Sequence, residues 1–340
     1  MTNGEPTALP APQSAAANHS SLSLVLGSGG ARGYAHIGVI QELEAQGFAI
    51  RSIAGSSMGA LVGGVYAAGK LGLYTDWVRP LQRFDVLRLL DWTLSGGGFI
   101  KGDRIINVLR ELIGDADIED LPIPYTAVAV DLDAQREVWF SRGPLFDAIR
   151  ASIAIPTVFR PHHYQGRLFV DGGLLNPLPI SPTLRDLTDA TIAVDVNAPA
   201  EPLDALAPRV GDAEPRSDHG GAGQASPTQL PEGSRPLAID APRAGYRRKI
   251  AEFVESVMEK RERRAAEQEP GVFELFARSL DLVQETITRL KLAAQPPDLL
   301  ITIPRNVCAF YEFHRAEEVI EHGRRRTREA LARWQRPPAR

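Results

Sequence analysis

Apolar residues recur along this chain in two rhythms that follow one another. Leu22–Leu26 is a short apolar run ending in Gly27-Ser28-Gly29-Gly30, and beyond it Ala35, Val39, Ile40 and Leu43 recur at helical spacing. This pattern predicts a strand, a tight turn and a helix. It repeats where Ile50–Ala54 leads into Gly55-Ser56-Ser57-Met58-Gly59 and then into the Ala-, Gly- and Val-rich stretch Ala60–Ala68. Two such units in succession predict a parallel sheet with helices on its faces. Further strands are expected at Tyr125–Val130, Glu137–Phe140, Arg167–Val170, Thr191–Val196 and Leu299–Ile303. Helical spacing marks Asp103–Ile113, Leu145–Ile153, Tyr246–Glu267, Val272–Leu292 and Ala316–Trp334. The fold class is therefore α/β with a mainly parallel central sheet.

Two segments break the rhythm. Residues 1–20 are rich in Ala, Pro, Asn and Ser without periodicity and are expected to form a disordered leader. Between about 200 and 242 the composition shifts to Pro, Gly, Ala, Asp and Ser, which predicts a mobile insertion. Residues 317–340 read as an Arg-rich helix and tail, leaving 21–316 as one domain around that insertion. At 340 residues and 44% hydrophobic, the chain can bury a large single core.

Composition narrows the chemistry. A formal net charge of -4 and a pI near 6.0 give no global pull towards nucleic acid. One cysteine, Cys308, excludes an internal disulfide framework and a Cys-rich zinc site, and fits a reducing compartment. No run approaches the ~20 apolar residues needed to cross a bilayer, and the start of the chain lacks a basic-then-apolar plan. The expectation is a soluble protein, cytoplasmic or peripheral at the inner membrane face, without metal or cofactor and of undetermined oligomeric state.

Gly55-x-Ser57-x-Gly59 between a strand and a helix has the form of a nucleophile elbow, in which flanking glycines permit a sharp turn that lifts the serine hydroxyl above the sheet. Its plainer reading is a strand-to-helix turn with serine as cap. The earlier turn, Ser28-Gly29-Gly30-Ala31-Arg32-Gly33, also joins strand to helix, so its backbone N–H groups converge where negative charge can sit. In acyl transfer that charge is the tetrahedral oxyanion, and losing one donor typically costs roughly 3–4 kcal/mol. A dinucleotide loop is the rival, but neither glycine frame completes G-x-G-x-x-G: one puts Arg32 in the third position, the other Ser28 in the first. Arg32 either anchors the loop, faces an anionic head group or lies in solvent.

A serine nucleophile needs a base, and two kinds are present. Asp171 is delivered by an apolar strand into the turn Gly172-Gly173, where partial burial would raise its pKa; an ordinary turn aspartate is the plainer reading. The order Ser, Asp, His would instead use His314 or His322. His36 reads as structural, and the pair His162-His163 lacks the carboxylate spacing of a metal site.

Taken in order, Ser28-Gly29-Gly30-Ala31-Arg32-Gly33, Gly55-Ser56-Ser57-Met58-Gly59 and Asp171-Gly172-Gly173 resemble the patatin-like phospholipase family, in particular its short bacterial-type members related to the neuropathy target esterase catalytic domain. The resemblance runs from about Leu22 to Val196, with later echoes at Pro297–Ile301 and Phe313–Ala316. It implies a three-layer α/β/α fold and a Ser–Asp dyad that hydrolyses acyl esters of phospholipids, lysophospholipids or neutral lipids. By position, Ser57 would be the nucleophile and Asp171 its base. Gly29, Gly30, Ala31 and Arg32 would form the oxyanion hole, Gly55 and Gly59 the elbow, and Gly172 and Gly173 the turn after the aspartate. Ser28 stands where the family usually has the first of three glycines.

Lipid lies in membranes or micelles, which calls for an apolar contact surface. Leu87, Leu89, Leu90, Trp92 and Leu94, followed by Gly96-Gly97-Gly98-Phe99-Ile100, could be a lid on a glycine hinge or a core helix and loop. Tyr246–Met258 could lie on an anionic membrane or pack on its own domain, and Arg324-Arg325-Arg326 could face a membrane or be a solvated helix end. The competing functions are a carboxylesterase or thioesterase for soluble acyl esters, and a non-catalytic acyl-binding regulator of the same fold.

Overall fold

The first apolar run forms strand β1 (Ser21–Leu26) in the computed structural model of the protein, which describes residues 20–89, 98–202 and 271–334. Strand β2 (Ala49–Ser56) lies parallel to β1, as the repeated strand–turn–helix pattern requires. The expected strands follow as β4 (Tyr125–Asp131), β5 (Arg136–Phe140), β8 (Arg167–Asp171), β9 (Ala190–Ala198) and β10 (Leu299–Pro304). Three-residue strands β3 (Gly98–Ile100), β6 (Thr157–Phe159) and β7 (His162–Tyr164) are too short to carry a period and escape sequence reading. The helices are α1 (Ala35–Ala45), α2 (Met58–Ala67), α3 (Leu71–Val78), α4 (Arg83–Leu89), α5 (Asp103–Ile113), α6 (Leu145–Ser152), α7 (Val272–Ala294) and α8 (Ala316–Arg333).

One eight-stranded sheet runs β10-β9-β1-β2-β4-β8-β7, with β5 also paired to β4. From β10 to β4 every pairing is parallel, while β5, β8 and β7 are antiparallel additions at the far edge. Side-chain alternation sets the layers. Leu22, Leu24 and Leu26 of β1 enter the large core with residues of α1, α2, α5, α6 and α8. Val25 faces the other way, with Ala193, Leu178 and Ile180, and Leu292 of α7 packs behind them. The result is the mixed α/β, three-layer arrangement expected.

Helix α1 is buried along most of its length because it is covered twice, by the sheet and by α8. The two helices approach through glycines: a Cβ on Gly38 would overlap the Ile320 carbonyl, and one on Gly323 the Ala35 carbonyl. Arginines of α8 reach the neighbouring elements. Arg328 pairs with Glu42 and Arg324 with Gln41 on α1, and Arg326 donates to the Thr302 carbonyl of β10.

Internal contacts divide the chain into two units, Met1–Ala200 with Ser279–Arg340, and Glu201–Arg278; the sheet belongs to the first. The expected leader before Ser20, the insertion beyond Pro202, the 246–267 helix, the tail after Trp334 and residues 90–97 of the lid candidate lie outside the described residues. One correction concerns that lid. Gly98–Ile100 is a strand paired in parallel with β6, and Ile100 is buried, so this part of the expected glycine hinge is ordered sheet. Among the described residues, no helix is long and apolar enough to cross a membrane.

Candidate active site

Ser57 occupies the one-residue corner between β2 and α2 with φ 55° and ψ -121°. A non-glycine residue held at positive φ stores on the order of 1–3 kcal/mol of strain, which persists only where the surroundings impose it. Here the glycines on either side impose it. A Cβ on Gly55 would overlap the Gly59 carbonyl, and one on Gly59 would overlap the Leu26 carbonyl, so the helix start sits directly on the strand ends. The corner is also pinned by a hydrogen bond: Ser57 N–H donates to Ser152 Oγ at 2.9 Å, and Ser152 Oγ donates to the Val128 carbonyl at 2.6 Å.

Sheet register brings the carboxylate to this corner. Ser56 of β2 pairs with Val128 of β4, and the next residue of β4, Ala129, pairs with Asp171 of β8. Ser57 Oγ donates to Asp171 Oδ2 at 2.6 Å across 114 residues of chain. The second oxygen, Oδ1, accepts the Gly173 N–H at 2.7 Å, and the Asp171 N–H donates to the Ala154 carbonyl. Both side chains are buried, at 4% and 3% exposure. Burial pushes the Asp171 carboxyl up to about 7, against the lowering effect of the bonds from Ser57 and Gly173. Gly172 is required by close approach, since a Cβ there would overlap the Val128 carbonyl.

The glycine turn follows β1 and leads through a short 3-10 segment, Gly30–Tyr34, into α1. Its amides are not all available. Gly27 N–H donates to the Val194 carbonyl, Ser28 N–H to Pro177 and Ala31 N–H to Phe310 at 2.8 Å. Those of Gly29 and Gly30 have no acceptor among the described residues. This corrects the expected donor set: Ala31 is engaged by the loop after β10, because Gly30, at φ 56°, turns against Phe310. Arg32 does not lie in solvent. It is buried, pairs with Asp281 of α7 at 2.9 Å, and donates from Nε to the Gly29 carbonyl at 3.3 Å, so of its open readings the loop anchor holds.

No imidazole is among the hydrogen-bond partners of Ser57 or Asp171. His314 accepts from Arg83, and His322 sits on α8 beside Arg325. His36 is fully buried and donates from Nε2 to the Gly27 carbonyl at 2.8 Å; burial pulls it down to about 4, so it is neutral at pH 7 and braces the glycine turn. His162 contacts Asp147 at 3.0 Å, and among the described residues no group of three or more His, Cys, Asp or Glu could hold a metal ion. Burial pushes the Cys308 thiol up to about 12, which keeps it protonated.

Several residues at the site escaped sequence reading. Ser152, Asn197 and Gln284 are buried polar residues, and Gln284 shares α7 with Asp281. Only Asn197 carried a signal, as a polar residue at the carboxyl end of a buried parallel strand, where α/β proteins bind ligands.

This fold, with a strained serine at a strand-to-helix corner and a carboxylate hydrogen-bonded to it, defines the class as an α/β protein of nucleophile-elbow type. Residues 24–184 match the family model of patatin-like phospholipases. An uncharacterized NTE family protein of Mycobacterium tuberculosis (strain H37Rv) is 43% identical over 361 aligned residues, covering 95% of both chains. The chain belongs to the patatin-like phospholipase family. A second uncharacterized NTE family protein of M. tuberculosis (strain CDC 1551) is 34% identical over 181 residues, 52% of this chain and 30% of its own. Neuropathy target esterase sws of Drosophila persimilis is 33% identical over 167 residues, 47% of this chain and 12% of that protein.

Proposed function

We propose that this chain is a serine hydrolase that cleaves acyl esters of phospholipids, lysophospholipids or related lipids with a Ser57–Asp171 dyad. The observation that carries the reading is the 2.6 Å hydrogen bond between a backbone-strained, buried Ser57 and a carboxylate raised to about 7. Membership of the patatin-like phospholipase family supports the lipid ester as substrate class.

Ser57 Oγ attacks the acyl carbon while its proton passes to Asp171, and the carbonyl π electrons move onto oxygen. The N–H groups of Gly29 and Gly30, with the N-terminal dipole of α2 beside the serine, hold that oxyanion. Collapse expels the alcohol, which takes the proton from Asp171, and leaves an acyl group on Ser57. Water then attacks the acyl-enzyme, giving its proton to Asp171, and the fatty acid leaves as Ser57 regains its hydrogen. The reaction takes place on lipid at a membrane or micelle surface.

A fluorophosphonate probe and paired assays on monomeric and micellar esters test this. Wild type is expected to label, to lose both labelling and turnover with Ser57→Ala, to lose turnover with Asp171→Asn, and to keep most activity with His314→Ala. Labelling that persists without Ser57, or a severe loss in the histidine variant, would overturn the dyad. A preference for monomeric over aggregated ester would overturn the lipid assignment in favour of a soluble-ester hydrolase.

A further inference from the structure

The two free amides of the glycine turn owe their direction to bonds made by the carbonyls before them. A trans peptide is planar, so a C=O and the following N–H point in opposite directions, and anchoring the one aims the other. The Ser28 carbonyl accepts from Asn197 Nδ2 at 2.8 Å, which sets the Gly29 N–H. The Gly29 carbonyl accepts from Arg32 Nε, which sets the Gly30 N–H.

Asn197 is itself held. It is 6% exposed at the end of β9, and its Nδ2 donates also to Gln284 Oε1 at 3.2 Å. The reverse amide orientation would set Oδ1 against two acceptor oxygens, so the network fixes which atom is which. Gln284, 8% exposed on α7, accepts in addition from Ser28 Oγ at 3.1 Å. Its Nε2 lies 2.7 Å from where a Cβ on Gly173 would be, against the turn whose N–H binds Asp171. Three residues earlier on the same face of α7, Asp281 holds Arg32. Ser28 thus has an acceptor 256 residues away.

We propose that Asn197 and Gln284 are positioning residues that aim the Gly29 N–H at the oxyanion, with Ser28 as the contact through which α7 holds the turn. This rests on the acyl-transfer reading above. Neither residue touches the reacting atoms.

The test is kinetic and uses the full chain, with active sites counted by fluorophosphonate titration. On a short-chain p-nitrophenyl ester, Asn197→Ala is expected to lower kcat per titrated site by roughly 10–100-fold with KM within about twofold, and Gln284→Ala by roughly 10-fold, somewhat less than the loss of a donor itself. Inhibition by a trifluoromethyl ketone, whose adduct carries the oxyanion, is expected to weaken by the same factor as kcat/KM falls. A purely structural role would lower the number of titrated sites while leaving turnover and inhibitor affinity per site unchanged, and that result overturns the inference. So does a loss carried by KM alone. Should Asn197→Ala fail to fold, Gln284→Ala decides by the same two readouts. Ser57→Ala measured alongside separates the two levels. If it retains turnover, the dyad reading itself fails. If it is inactive while both amide variants match wild type per site, only the positioning role is lost.

Discussion

Ser57 Oγ and Asp171 Oδ2 stand 2.6 Å apart although 114 residues separate them in the chain. Three adjacent strands produce that distance: β2 ends one residue before the serine, β8 ends on the aspartate, and β4 lies between them in register with both. The pair is thus positioned by main-chain hydrogen bonds rather than by flexible side chains, which is the rigidity that acyl transfer requires.

Activity should titrate with the carboxylate. In the proposed mechanism Asp171 must be ionised to accept the serine proton, and burial raises it to about 7. kcat/KM on a soluble ester, measured from pH 5 to 9, is expected to rise with unit slope through an inflection near 7 and then level. An inflection near 4 would mean that the carboxyl is not desolvated as the fold implies.

Stability should move against activity. A carboxyl raised from about 4 to about 7 binds its proton more tightly in the folded state, so stability is lost as pH climbs through that window and stays lost above it. Asp171→Asn removes the titration. Three units correspond to an upper bound of about 4 kcal/mol, reduced by weakened bonds to Ser57 and Gly173. The inactive variant is expected to be more stable than wild type by ~1–3 kcal/mol at pH 8, with the gain vanishing towards pH 4. Denaturant titrations at the two pH values check both sign and window.

Close approach separates the glycines of the elbow from those in open positions. Gly59→Ala drives a Cβ into the Leu26 carbonyl and is expected to cost about 4 kcal/mol or more, enough to abolish soluble expression. Gly72→Ala, in the first turn of α3 with nothing within 4 Å of the added carbon, is expected to be neutral or to stabilise by up to about 1 kcal/mol. Equal melting temperatures for the two variants would contradict the packing described.

Ser152 links the elbow to β4 by accepting from Ser57 N–H and donating to Val128. Ser152→Ala leaves a buried N–H unpaired and is expected to cost about 1–3 kcal/mol. Because the same bond holds the strained corner, kcat is expected to fall roughly 10-fold as the serine loses its fixed geometry. Unchanged stability and rate would make the hydroxyl a bystander.

Much of this protein was legible in one dimension. The period-2 and period-3.6 runs located β1, β2, β4, β5, β8, β9, β10 and α5 to within a residue or two at either end, because burial of one face is written into neighbouring positions. The glycine turn and the GxSxG corner were readable for the same reason, as backbone bends that only a few local residues permit. What sequence left open, tertiary structure decided. Asp171 rather than His314 contacts Ser57, because strand register across β2, β4 and β8 chooses the partner. Ala31 drops out of the donor set because a carbonyl from Phe310, far along the chain, claims its N–H. Arg32 and Ser28 acquire their roles from α7, whose own pattern says only that it is a helix. Periodicity records whether a residue faces the core; which atom it meets there depends on segments hundreds of residues away, and only their packing determines it.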